Sequence, residues 1–105
     1  MSVWNITAFN GYVPITTFWN DFEIAEAFGK DAVSETYYSA LHSLGDDPAY
    51  LTELALVLNH RLWMHYERGN ESLAKLYDKL WRAADQYAVE HLKGDALRYY
   101  LEVTD

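Results

Sequence analysis

Glu53, His60 and Glu67 recur at seven-residue intervals, so a helix carrying all three sets them on one line. Two carboxylates and an imidazole are the groups of general acid–base chemistry. Successive members stand about 10 Å apart along a helix axis. That is too far to bond directly, so only a substrate lying along the line would bridge them. Trp63 and Met64 border the same line. Glu53, His60, Trp63, Met64 and Glu67 therefore form a small-molecule or enzymatic pocket if this face is open, and a packing face if another helix covers it. The apolar neighbours Leu56 and Val57 favour the covered face.

Other chemistry has less to stand on. The chain has no cysteine, which removes thiol nucleophiles, thiolate zinc sites, iron–sulfur clusters and disulfides. The residues three before His42, His60, His65 and His91 are Ser39, Val57, Leu62 and Ala88, so no Glu-x-x-His pair is present. His60 and His65 lie about 140° apart round a helix and do not share an ion. His65 and His91 fall within apolar stripes and read as core residues. No serine sits in a nucleophile elbow, and no glycine is left for a phosphate-cradling loop. Residues 24–41 have the outline of a helix-turn-helix. Glu35, however, occupies an interior position of that motif, and its second helix would carry acids and no Lys or Arg. The expectation is a protein without metal, cofactor or enzymatic activity.

Charge is the stronger signal. The net charge is −8, and residues 1–60 hold eight acids against the single base Lys30. Such a balance repels nucleic acid and suits a basic protein partner. The expected partner surface comprises Asp21, Glu23, Glu26, Asp31, Glu35, Asp46 and Asp47, with Tyr38 for apolar contact. Nine Tyr and four Trp are more amphipathic rings than a core of this size can satisfy, and protein interfaces favour such rings. Trp19, Tyr38, Tyr99 and Tyr100 are those that the helical periodicity leaves off the core or at its edge.

These groups must be positioned by helices. At 105 residues with 50% hydrophobic content, the chain is one domain, 1–105. Asn10-Gly11 predicts a hairpin or extended arm over residues 1–15, with Tyr12-Val13 returning. Helix 1 should run from a cap at Thr16 or Thr17 to Phe28, and its wide apolar arc suggests a helix wedged between neighbours. Helix 2 follows an Asp31 cap and ends before Gly45. The central helix, 47–68, begins at Asp47-Pro48 and has two apolar faces, split by Thr52/Asn59 and by Arg61/Arg68. Helix 4 follows an Asn70 cap and pairs Glu71 with Lys75 and Asp78 with Arg82. Asp95 caps a last short helix anchored by Leu97 and Leu101. The fold class is all-α, a compact bundle of four to five helices around the central helix. No basic leader precedes an apolar stretch, and the apolar runs are far too short to span a membrane. The expected location is the cytoplasm.

The strings FWNDFEIAEAFGKDAVSETY, LTELALVLNHRLWMHYE and LYDKLWRAADQYAVEHLKGDALRYY resemble small uncharacterised α-helical proteins carried on phages and conjugative elements of gut bacteria. The resemblance covers nearly the whole chain and implies a mobile-element gene, with no functional residue to transfer. Together with the charge, it suggests a non-enzymatic acidic protein-binding module. Its sharpest form is an inhibitor that mimics nucleic acid toward a basic nuclease or DNA-binding protein. A homodimeric accessory subunit, joined through its N-terminal strand, is the third reading.

Overall fold

Residues 13–44 and 47–104 are described in the computed structural model, with side chains from 18 to 43 and from 47 to 104. They form five helices: α1 (Val13–Phe28), α2 (Lys30–Leu44), α3 (Pro48–Glu67), α4 (Glu71–His91) and α5 (Asp95–Thr104). Among the described residues there is no strand. No helix is long and apolar enough to cross a membrane.

The N-terminus departs from expectation. Val13 and Pro14 belong to the first turn of α1, so they cannot form the return strand. Proline at a helix start gives up no hydrogen bond and supplies a helical φ, which explains why α1 begins ahead of Thr16. The rest of the expected hairpin or arm, and any dimer made through it, lies outside the described residues. Gly29 alone separates α1 from α2. Its φ of +116° turns the chain where a side chain would be strained, so α2 starts at Lys30 and Asp31 falls in its first turn rather than at its cap.

The start of α3 is as the sequence specifies. Asp47 Oδ1 accepts from the backbone N–H groups of Ala49 (3.0 Å) and Tyr50 (3.4 Å), and Pro48 opens the helix. Leu51 through Leu58 are all buried, two full turns with no wet side. A helix covered all round sits at the centre of its fold. It packs most extensively on α4 and also meets α1, α2 and α5. Thr52, in one of the expected polar seams, satisfies its hydroxyl by donating to Pro48 O at 2.7 Å.

Three further expectations are corrected. Asn70 precedes α4 but makes no side-chain cap bond, because its carboxamide is engaged elsewhere. His91 is exposed, stacked on Tyr87 at 3.8 Å. In α5, Tyr100 is the buried anchor and Leu101 is half exposed. The Tyr100 hydroxyl donates to Asp85 Oδ1 on α4 at 2.7 Å, and an aromatic body with a satisfied tip buries more area than leucine.

Candidate functional site

Helix α1 supplies two different faces. Phe18, Phe22 and Ala25 enter the core, as their spacing predicts. Ile24 and Phe28 do not: they are 60% and 80% exposed. The wide apolar arc of α1 is thus packed at Phe18, Trp19, Phe22 and Ala25 but left open at Ile24 and Phe28. It forms one wall of an open groove of about 620 Å³ between α1 and α2. Phe18 and Ala25 reach its floor, and Ala32, Thr36 and Ala40 make the opposite wall on α2. Asp21 on α1 and Glu35 on α2 place a carboxylate on each side. Lys30 donates to Ser72 Oγ at the start of α4, so the single base of residues 1–60 is held toward α4.

The expected partner-binding residues divide. Asp21, Glu23, Asp31 and Glu35 are exposed, and Tyr38 is 59% exposed with its ring edge against Tyr37. Asp47 is exposed but serves α3 as its cap. Asp46 lies outside the described residues. Glu26 faces inward. Its Oε2 accepts from Arg61 Nε (2.7 Å) and His65 Nε2 (2.9 Å) on α3, and from the Tyr77 hydroxyl on α4.

The partners of Glu26 on α3 and α4 are buried. Arg61 is 2% exposed, lies over the Trp19 ring at 4.3 Å, and leaves Nη1 buried without a hydrogen-bond partner among the described residues. The His65 ring stacks parallel to Tyr77, and its Nδ1 accepts from Asn70 Nδ2 at 3.1 Å. That contact accounts for the missing cap on α4. Burial would raise the Glu26 pKa, but hydrogen bonds from Arg61, Tyr77 and His65 outweigh it and hold the carboxyl below its ordinary value. The Tyr77 hydroxyl is pushed up by burial and by its bond to Glu26. A carboxylate that is already ionised and accepts three hydrogen bonds on one oxygen is a poor base, with no room there for a reacting atom. The cluster ties α1, α3 and α4 together.

The line Glu53, His60 and Glu67 is covered at one end and open at the other. Glu53 is 1% exposed, and neither carboxyl oxygen has a partner among the described residues. Burial and the nearby charge of Asp47 raise its pKa to about 7. His60 is half-buried, with its ring edge-to-face against Trp19 of α1 at 4.9 Å. Burial lowers its pKa, with Arg61 adding to the effect and Glu67 opposing it. Beyond that contact, His60, Trp63, Met64 and Glu67 border a recess of about 430 Å³. Glu53 does not reach it. The three residues therefore form no shared site: one is sealed, one is at the boundary and one is outside.

Among the described residues no group of three His, Asp or Glu side chains is placed to hold a metal ion. Helical periodicity does not expose the Glu26 cluster, because it sets Arg61 in a polar seam and His65 and Tyr77 at apolar spacing. Their polar tips on apolar faces were the signal that a buried acid must meet them, but nothing in the sequence named Glu26 as that acid. Compared with protein-family models, with curated proteins and with solved structures, the chain has no match.

Proposed function

We propose that this protein is a non-enzymatic acidic binding module whose α1–α2 face captures a basic protein. The observation that carries this reading is the groove itself. Ile24 and Phe28 stand out from it into solvent, carboxylates flank it, and Lys30 is held away at Ser72. Large exposed apolar groups beside uncompensated charge are what an interface of this kind needs. The narrower version, a mobile-element inhibitor that imitates nucleic acid toward a nuclease or DNA-binding protein, draws support from the same acids. A pure mimic would need only the charge, whereas this face adds apolar contact.

The test is capture of basic proteins from the host lysate by the full chain, compared with a variant reversed at Asp21, Glu23, Asp31 and Glu35. Glu26 is left intact because its reversal would break a buried pair. Recovery of a salt-sensitive partner should fall at least about tenfold. A control reversing Glu90 on α4 and Glu102 on α5, both exposed and outside the groove lining, should hold recovery within about twofold. Equal recovery by both variants rejects the reading. Displacement of the partner by duplex DNA supports mimicry, and indifference to DNA rejects that narrower version.

The recess at His60 favours a second reading, a small-molecule site. An indole, a thioether and a carboxylate around about 430 Å³ suit a flat cationic or neutral aromatic ligand. A fragment screen observed through the Met64 methyl resonance should then find ligands that Trp63→Ala no longer binds. A screen that leaves the Met64 signal unmoved removes this reading.

A further inference from the structure

We propose that the occupant of the α1–α2 groove is a basic amphipathic helix of about three turns, supplied by the partner protein. The inference rests on the acidic-module reading and specifies what that module recognises.

Shape comes first. The α2 wall runs from Ala32 to Ser43, a rise of about 17 Å, or three helical turns. Along it stand Ala32, Thr36, Ser39, Ala40 and Ser43, all small, so an incoming helix can approach closely. The α1 wall supplies the large groups, Ile24 and Phe28, for contact with the partner's apolar stripe. Peptides that bind as strands need an exposed sheet edge, and the described residues contain no strand. An apolar groove of this kind instead takes side chains spaced i, i+4 and i+7 from one face of a helix.

Charge sets the rest. Asp21 and Glu35 stand on opposite walls, and Glu23 and Asp31 are exposed on the same two helices. A helix with Lys or Arg on both borders of its apolar stripe would meet a carboxylate on each side. The chain's own segment 1–12, which precedes α1, carries no charged side chain and would leave both walls uncompensated. A second copy presenting its own α1–α2 face would set acid against acid.

The test uses the full chain and a synthetic 15-residue peptide of leucine and lysine with helical periodicity. Two peptides serve as comparisons, one with glutamate for lysine and one with the same Lys/Leu composition alternating residue by residue. The helical lysine peptide should shift the methyl resonances of Ile24, Ala32 and Ala40. Asp21→Lys with Glu35→Lys should weaken it at least tenfold, as should Ile24→Ser with Phe28→Ser, while Glu90→Lys with Glu102→Lys, exposed and outside the groove lining, should stay within twofold. Both comparison peptides should leave these methyls unmoved. Shifts located elsewhere, or equal binding of the alternating peptide, overturn the proposal. So does binding that survives Ile24→Ser with Phe28→Ser, although charge-dependent capture would then still stand as the broader reading. Contacts in the free protein between these methyls and Trp4 or Phe9 would assign the groove to the chain's own N-terminus. Concentration-dependent shifts without peptide would assign it to a second copy.

Discussion

Glu26→Gln should cost about 3–5 kcal/mol of folding stability, the usual penalty for leaving one member of a buried ion pair uncompensated. The glutamine keeps the shape and still accepts a hydrogen bond. What it removes is the negative charge opposite Arg61, whose Nε bonds Glu26 and whose Nη1 already lacks a partner among the described residues. The Trp19 ring over the guanidinium is worth only about 1–2 kcal/mol and cannot substitute. Urea unfolding at neutral pH reads the loss directly, as a lower midpoint with an unchanged slope. The double variant Glu26→Leu with Arg61→Met removes both charges and should recover only part of that loss, because the desolvation costs disappear with the attraction but the Tyr77 hydroxyl and His65 Nε2 lose their acceptor. A small loss in Glu26→Gln, under about 1 kcal/mol, would mean that water reaches the pair and that the cluster does not hold α1 to α3.

Glu53→Gln should act in the opposite direction and only above mildly acidic pH. The Glu53 carboxyl is sealed without a partner among the described residues, and its pKa rises from 4.5 to about 7, chiefly by burial and secondarily by Asp47. Its folded state therefore holds a proton that the unfolded chain releases. The associated stability is fully present below pH 4.5 and is lost as pH rises from there through about 7, amounting to about 3 kcal/mol by pH 8. A glutamine amide in its place cannot ionise, so the variant should gain about 2–3 kcal/mol on wild type between pH 5 and pH 8. Glu26 works the other way. Its depressed pKa contributes stability above 4.5 that disappears as pH falls through the folded value. Wild type should accordingly be most stable near pH 4.5 and lose stability on both sides, the acid limb through Glu26 and the alkaline limb through Glu53. Parallel unfolding curves for wild type and Glu53→Gln across pH 4–8 would show that the carboxyl is hydrated or paired in solution.

Most of the scaffold was legible because local chemistry writes helix ends plainly. Asp47-Pro48 started α3 where it should, Gly29 and Gly69 ended helices at positive φ, and the enclosure implied by the two apolar faces of α3 holds over Leu51 to Leu58 but not at Trp63 and Tyr66. Boundaries failed where two local signals competed. Pro14, which cannot donate to a strand ladder, instead opens a helix, while Asn70, a good cap by type, found a better use bonding His65. In α5 the wheel chose leucines, whereas Tyr100 was the better anchor once Asp85 was within reach of its hydroxyl.

The candidate sites were legible only in part. The acids of α1 and α2 were evident as composition, and Asp21, Glu23, Asp31 and Glu35 do stand exposed. Glu26 differs from Glu23 by three residues and less than one turn, yet one lies in water and the other holds a buried arginine. Periodicity describes one helix at a time, and which side of α1 faces Arg61 depends on how α1 crosses α3. The same limitation applied to Glu53, His60 and Glu67. One line on a wheel became a sealed acid, a half-covered imidazole and the rim of a recess, because Trp19 of α1 crosses that line at His60.

By itself, then, the sequence determined the helical class, the central helix, the absence of thiol chemistry and a strongly acidic first half. These follow from residue type and spacing, which act over a few residues or over the whole composition. Only the tertiary structure decided which acid is internal, that Ile24 and Phe28 line a groove rather than a core, and where the third helix's second face opens. Those outcomes depend on contacts between residues 35 to 51 positions apart, as in the bonds from Arg61, His65 and Tyr77 to Glu26. Burial and partnership are properties of the packed assembly, and no single segment carries them.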